Sequence, residues 1–335
     1  MIGFYIHHHG RGHLTRARAI ADALGEPVAG LSSLPLPEDW PGDWITFPLD
    51  DGAAERDARA HGRLHWVPLG SDGLRDRSAA ISAWIARARP RAMVVDVSVE
   101  VALLARLHGI PVVTFALPGD RSDPAHRLGF DVATEILATW PAGVQGMDLG
   151  LPAETRHRVS AVGAIGRFTP AEDAANEVDG GAPRAHATPH ALVLGGGEDD
   201  TFSDDAVAAL DRAGWSWMRV GGSAEWVDDL WPHLRAADVV VTHAGDGALA
   251  DVSAARRPAI VVPQERPHRE QRATARVLRS GLWPAVVVDR TGQRDWLPLL
   301  ERARAIDGSG WTWWNDGHGA RRAADVIRRA AGAVT

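Results

Sequence analysis

Ala237-Asp238-Val239-Val240-Val241-Thr242-His243-Ala244-Gly245-Asp246-Gly247-Ala248-Leu249-Ala250-Asp251 runs from a β-branched apolar stretch through a glycine loop straight into a helical pattern. An uninterrupted apolar run of this length, flanked by turn residues, is the pattern of a strand buried on both faces of a parallel sheet. The glycines let the chain turn sharply, and the helix that follows presents unpaired N–H groups and the positive end of its dipole at the strand's carboxyl end. Such a place favours a phosphate. Asp251, read as lying one turn into the helix, is expected to accept hydrogen bonds from ribose hydroxyls. Pro258 to Pro263 then reads as the next strand, and Arg269-Glu270-Gln271 as a helix start whose polar side chains can meet sugar hydroxyls.

The same strand–loop–helix unit recurs in both directions, which is the signature of a parallel sheet built from βα units. In the first half the strand-like runs are Ile2 to Ile6, Pro27 to Leu31, Ala92 to Asp96 and Pro111 to Ala116, with helical patterns at Leu14 to Leu24, Leu74 to Ala88 and Val99 to His108. In the second half the runs begin at Ala191, Ser216, Asp238, Ala259 and Ala285. Between the halves, Phe168 to Pro189 is polar and rich in Ala, Gly and Pro, without periodicity. The fold class expected is α/β, with two Rossmann-like doubly wound domains facing across a cleft and ligands at the carboxyl ends of the strands. The domains are placed at 1–165 and 190–315, joined by a linker at 166–189. A final helix within 316–335 is expected, by analogy, to return to the first domain.

A chain of 335 residues has room for two full cores. Its net charge of −7 argues against a nucleic-acid partner. With no cysteine, disulfides, thiolate metal sites and thiol catalysis are excluded, and a cytoplasmic location is the natural expectation. The N-terminus does not read as a secretory signal, and no apolar run approaches the length of a membrane span, the longest being interrupted at Asp96 and Glu100. That leaves peripheral membrane association open.

Two further loops carry chemistry. His7-His8-His9-Gly10-Arg11-Gly12-His13 follows the first strand and opens the first helix, a position suited to a polar or anionic ligand. It lacks the glycine spacing and the acidic partner of a dinucleotide site. The three consecutive histidines also suggest a metal, but neighbours on a strand point to alternate faces, so no metal site is expected there. Leu194-Gly195-Gly196-Gly197-Glu198-Asp199-Asp200 heads the second domain; its glycines permit close approach to a diphosphate, whereas its acidic run is unusual for an anion site.

In these segments, and most strongly from Ala224 to Leu282, the sequence resembles the GT-B glycosyltransferases of family 28. The resemblance implies a nucleotide-diphosphate sugar donor, a UDP-sugar, with no cofactor and no metal. It puts Gly10, Arg11, Gly12 and His13 on the acceptor side. It places Val227, in Glu225-Trp226-Val227-Asp228-Asp229-Leu230, at the base, and Asp251 at the ribose-binding position, where the family usually has Glu. Glu270 and Gln271 fall on the sugar-reading pair, normally two glutamines. Arg167 matches a basic residue that approaches the diphosphate. The acceptor region, including Ala116 to Asp123, has no match, so the acceptor is unknown.

The implied reaction is an inverting displacement in which an acceptor hydroxyl attacks the anomeric carbon. Amides at Gly195 to Gly197 and at Asp246, Gly247 and Ala248, beside His243 and Gly245 and with Arg167, are expected to stabilise the departing diphosphate. His13 is the expected general base, since imidazole suits proton abstraction at neutral pH; Glu100 and Asp120 are the fallbacks. Competing readings are a nucleotide-sugar epimerase or hydrolase on the same fold, a nucleotide-sugar-binding protein without catalysis, and a metal-dependent hydrolase built on the histidine run.

Overall fold

The computed structural model describes residues 1–8, 11–50, 56–170, 188–195, 204–221, 227–289 and 295–333. The chain divides into two compact units. The first comprises Met1–Ala142, Asp148–Val162 and His318–Thr335, and the second Gly143–Met147 and Gly163–Gly317.

The first unit contains β1 (Ile2–Tyr5), α1 (Arg11–Leu24), β2 (Val28–Ser32), β3 (Asp43–Thr46), α2 (Asp72–Ala88), β4 (Ala92–Val95), α3 (Val99–Leu107), β5 (Val112–Ala116), β6 (Gly119–Asp120), α4 (Pro124–Val132), β7 (Glu135–Ala138), β8 (Asp148–Leu149), α5 (Ala153–Arg156) and β9 (Val159–Ala161). Its main sheet is parallel, in the order β3-β2-β1-β4-β5-β7-β9. Strand order reverses between β1 and β4, and a doubly wound sheet binds its ligands in the crevice at that reversal. β1, β2, β4 and β5 are buried along their whole length, which is why they stand out in the sequence as apolar runs. On one face the core gathers Tyr5, Leu31, Phe47, Ile81, Trp84, Met93 and Val95.

The second unit contains β10 (His190–Gly195), α6 (Asp204–Arg212), β11 (Ser216–Gly221), α7 (Trp231–Ala236), β12 (Val239–Thr242), α8 (Asp246–Ala254), β13 (Ala259–Val261), α9 (Glu270–Leu278), β14 (Ala285–Val287) and α10 (Trp296–Arg304). The sheet is again parallel, ordered β11-β10-β12-β13-β14, with its reversal between β10 and β12. The carboxyl ends of β10 and β12 therefore lie side by side. The last helix, α11 (Gly319–Gly332), belongs to the first unit, where Arg328 donates to the carbonyls of Ala23 and Leu24 and Arg322 to that of Val162.

Much of the read linker, residues 171–187, lies outside the described residues. α8 is backed by a short 3₁₀ turn, Gly308–Trp313, whose Trp311 is fully buried and donates its indole N–H to the Arg257 carbonyl at 2.8 Å. Gly308 lies so close to this segment that a Cβ there would stand 2.0 Å from the Arg256 carbonyl oxygen, a backbone atom that cannot swing away. Gly308→Ala is expected to cost about 1–3 kcal/mol of unfolding free energy. Gly332→Ala, where a Cβ meets nothing within 4 Å, is the control and should leave the urea midpoint nearly unchanged.

Candidate active site

In the first unit, the reversal between β1 and β4 brings together residues far apart in sequence. α1 starts at the carboxyl end of β1 and carries His13 and Arg16 one turn apart; Asp96 follows β4 directly. His13 Nδ1 lies 2.9 Å from Asp96 Oδ2, and Arg16 Nη2 donates to the same oxygen at 2.7 Å. The Asp96 side chain is 5% exposed and that of His13 21%, so the carboxylate is sealed while the imidazole reaches solvent. Burial pushes the Asp96 carboxyl upward, but the charge of Arg16 and the hydrogen bonds from His13 and Arg16 outweigh it and hold the group well below the usual carboxylate range. Arg16 is itself buried, its guanidinium lying 4.7 Å from the centre of the Phe115 ring. Val97, next to Asp96, adopts φ 57°, a left-handed conformation costly for a β-branched residue. Strain of this kind persists where the surroundings fix the backbone, here at the residue that aims Asp96.

With Nδ1 donating to Asp96, His13 keeps Nε2 as an acceptor, the arrangement of a general base whose partner sets its tautomer. Asp96 is a site residue that the sequence alone does not mark as one. Its signal was the acidic end of an apolar strand run, which becomes meaningful only once β4 is known to lie beside β1.

The fallback bases are placed differently. Glu100 Oε1 accepts from the backbone N–H groups of His65 and Trp66, at 2.6 and 3.1 Å, and its Oε2 accepts from the Ser98 hydroxyl, at 3.0 Å. Its carboxylate thus ties the segment before α2 to the start of α3. Asp120 is exposed on β6, where Oδ1 accepts from the Ser122 N–H at 3.1 Å. Gly10 lies outside the described residues, and Arg11 and Gly12 open α1.

The expectation that neighbouring histidines point apart is corrected. The His7 and His8 rings stack at 4.8 Å and 11° between planes, because β1 ends at Tyr5 and strand alternation no longer applies. The His7 ring also meets that of His13 edge-on, with centroids 5.8 Å apart. Among the described residues, one group has potential metal-ligand atoms within 4.8 Å of one another: His65, Asp123 and His126. Its hydrogen bonds favour a different reading. Arg121 Nη1 stands 3.2 Å from His126 Nε2, so that nitrogen accepts, and Nδ1 carries the proton that meets Asp123 Oδ2 at 2.6 Å. Burial and the charges of His65 and Arg121, outweighing the pull of Asp123, push His126 down to about 4.

In the second unit, α8 begins at Asp246 with Gly245 as its N-cap and no side-chain cap. The first-turn amides of Asp246, Gly247 and Ala248 are those a helix leaves without internal acceptors. Gly245 is required here, since a Cβ would fall 2.6 Å from the His243 ring. His243 Nδ1 accepts from the Gly245 N–H at 3.0 Å and stands 3.3 Å from Gln271 Nε2. Gln271 Oε1 accepts from the Ala244 and Gln264 N–H groups, at 3.2 and 2.9 Å. Gln271 is 2% exposed and bridges the loops after β12 and β13. Glu270, one residue earlier, is half-buried at the helix start, after His268 and Arg269, both with positive φ. Val227 is half-buried ahead of α7, Gly195 ends β10, and Gly196 and Gly197 lie outside the described residues.

Asp251 lies deeper in α8 than its first turn and is 5% exposed; Arg167 donates to its Oδ2 from Nε at 2.9 Å and from Nη2 at 2.7 Å. Two residues expected to touch different parts of a donor are paired with each other. Burial raises the Asp251 carboxyl, with Arg167 opposing. Arg167 remains 43% exposed and lies over the Phe168 ring.

Residues 217–293 match the family description "Glycosyltransferase family 28 C-terminal domain". A UDP-N-acetylglucosamine--N-acetylmuramyl-(pentapeptide) pyrophosphoryl-undecaprenol N-acetylglucosamine transferase of Clavibacter sepedonicus is 30% identical over 266 residues, 68% of this chain and 67% of its own. The protein of the same description from Nocardia farcinica is 26% identical across 96% of this chain and 92% of its own. Among solved structures, the glycotransferase of kitacinnamycin superposes with a TM-score of 0.66 at 16% identity, covering 98% of each chain. MurG of Acinetobacter baumannii gives 0.63 at 14% identity over 98% of this chain and 99% of its own. These structural likenesses place the fold among GT-B glycosyltransferases. No helix among the described residues is long and apolar enough to cross a membrane.

Burial, with the positive charge of Arg266, pushes His243 down to about 4. Protonating Nδ1 would also turn the acceptor of the Gly245 N–H into a donor. Between pH 6.5 and 4 the unfolded chain binds protons that folded His243 and His126 refuse, so stability falls as pH drops through that window. Each should contribute on the order of 1–3 kcal/mol. His243→Asn is expected to flatten part of this slope in urea melts taken from pH 7 to 4.5; an unchanged slope would show that His243 is not among the groups responsible.

Proposed function

The chain belongs to glycosyltransferase family 28, and on that footing we propose that it moves a sugar from a UDP-sugar to an acceptor hydroxyl by a single inverting displacement, without a metal ion. The observation that carries the catalytic part is the 2.9 Å contact between His13 Nδ1 and buried Asp96. A partly exposed imidazole at a strand-order reversal, with Nδ1 held by a buried carboxylate, is equipped to take a proton from a bound hydroxyl on its other nitrogen. The uridine part rests on the donor named for the relatives and on the match around Val227.

In the proposed step, the acceptor oxygen gives its proton to His13 Nε2 and forms a bond to the anomeric carbon. The bond from that carbon to the β-phosphate oxygen breaks from the opposite face, and its electron pair leaves with UDP. Asp96 stabilises the imidazolium that forms, as the partner carboxylate does in other base–carboxylate pairs. On the donor side, α8's first-turn amides and Arg167 meet the charge that develops on the leaving diphosphate. Asp251 is a positioning residue in this scheme: its Oδ2 holds Arg167 by accepting two hydrogen bonds, from Nε and Nη2.

His13→Ala is expected to lower turnover roughly a hundredfold or more while leaving UDP affinity within about twofold. Asp96→Asn should lower turnover similarly, and because it also removes the anion beside buried Arg16 it should reduce the melting temperature. Near-native turnover in His13→Ala, with intact UDP binding, would move the base elsewhere. Full activity is expected in EDTA; loss of turnover restored by magnesium or manganese would overturn the metal-free mechanism.

A further inference from the structure

The first unit holds a half-open cavity of about 580 Å³ between β1, α2 and α3. Its walls are largely apolar and include Leu64, Trp66, Leu74, Ile81, Val101 and Leu104. A cavity of this size suits one drug-sized molecule and buries most of its surface. His7, His8, Val97 and Ser98 are also in the lining. His7 meets the His13 ring with centroids 5.8 Å apart, and Val97 and Ser98 follow Asp96 directly, so this part of the lining adjoins the proposed base.

The charges in the wall decide what the cavity accepts. Arg77 is the one Arg or Lys in the described lining, and it is 4% exposed. Its Nη1 donates to Asp50 Oδ2 at 2.6 Å and to the Tyr5 hydroxyl at 3.3 Å, and its Nη2 to Ser33 Oγ and the Pro48 carbonyl. Its charge is thus balanced by Asp50 and both Nη atoms are engaged by the protein, while its buried Nε has no hydrogen-bond partner. Glu100 adds a second carboxylate to the lining, engaged by the His65 and Trp66 amides and by Ser98. With Arg77 balanced by Asp50, the formal charge that Asp, Glu, Arg and Lys give the described lining is that of Glu100. An anion entering here would meet a carboxylate and low-dielectric walls without a cation to pair with, and burying an unpaired charge is costly.

We propose that this cavity is the acceptor site and takes a compact, uncharged, largely apolar hydroxyl compound of one or two rings, presenting its hydroxyl beside His7. This rests on the transferase reading above and departs from the pyrophosphoryl-undecaprenol acceptor in the names of the relatives. Long polyprenyl diphosphates fail on both counts, needing cations for two phosphates and room for a chain far larger than the cavity. Leu104 and Leu74, partly buried in opposite helices, set the cavity's width rather than its chemistry.

Three probes separate size from charge: 2-naphthol, its anionic counterpart 2-naphthoate, and farnesyl diphosphate. Binding of each to the full chain can be followed by tryptophan fluorescence, Trp66 being in the wall, with UDP binding measured in parallel. 2-Naphthol is expected to bind at least tenfold more tightly than either anion. Leu104→Trp, which fills the cavity, should weaken 2-naphthol at least tenfold and leave UDP affinity within twofold; Leu74→Trp serves the same purpose if the first variant does not fold. Equal or tighter binding of 2-naphthoate or farnesyl diphosphate, no binding of 2-naphthol, or 2-naphthol affinity unaltered by the filling substitution would each overturn the proposal. Failure of the donor reading would register separately, as absent UDP binding with the naphthol result intact.

Discussion

A carboxylate held between a histidine and an arginine is the interaction on which the first unit's chemistry depends. Removing Asp96 from water carries a desolvation cost that only close partners can offset. Arg16 and His13 supply them from consecutive turns of one helix, and both converge on a single oxygen. The arrangement requires β1 and β4 to be neighbours, α1 to start where β1 ends, and Val97 to accept a left-handed backbone. It also requires Phe115 on β5 to lie beside the arginine. Strand order, helix start and backbone strain thus meet at one carboxyl group.

The second unit solves a different problem with similar means. In the proposed reaction it presents N–H groups and one cation to a diphosphate, and its buried side chains organise the loops around them. Gln271 ties the loop after β12 to the loop after β13, His243 shapes the turn into α8, and Asp251 anchors Arg167. The polar residues in this region are therefore divided by burial. The buried ones organise the loops, whereas Arg167 stays partly exposed beside Asp251.

That division explains how much could be read beforehand. The long buried strands and amphipathic helices were legible because burial on both faces leaves an apolar run and burial on one face leaves a period. β3, β7 and β9 escaped notice: β3 and β9 are the half-exposed edges of the sheet, and β7 begins with Glu135. The loops and the candidate base were legible from glycine and histidine at strand ends. Their partners were not, since Asp96 is 83 residues from His13 and Asp251 is 84 from Arg167. Nor does sequence reveal which of two adjacent residues at a helix start turns inward, and so Gln271, rather than Glu270, proved to be the buried one.

The central claim is that Asp96 fixes His13 with its proton on Nδ1, leaving Nε2 free to accept. Nitrogen-15 NMR of the histidine-labelled protein tests this directly, with His13 assigned by its loss in His13→Asn. At a pH where the ring is neutral, the wild-type His13 signals should show a protonated Nδ1 and a bare Nε2, a preference that Asp96→Asn should abolish. A neutral His13 protonated at Nε2 in the wild-type protein would contradict the claim, because that nitrogen could not then receive the acceptor's proton.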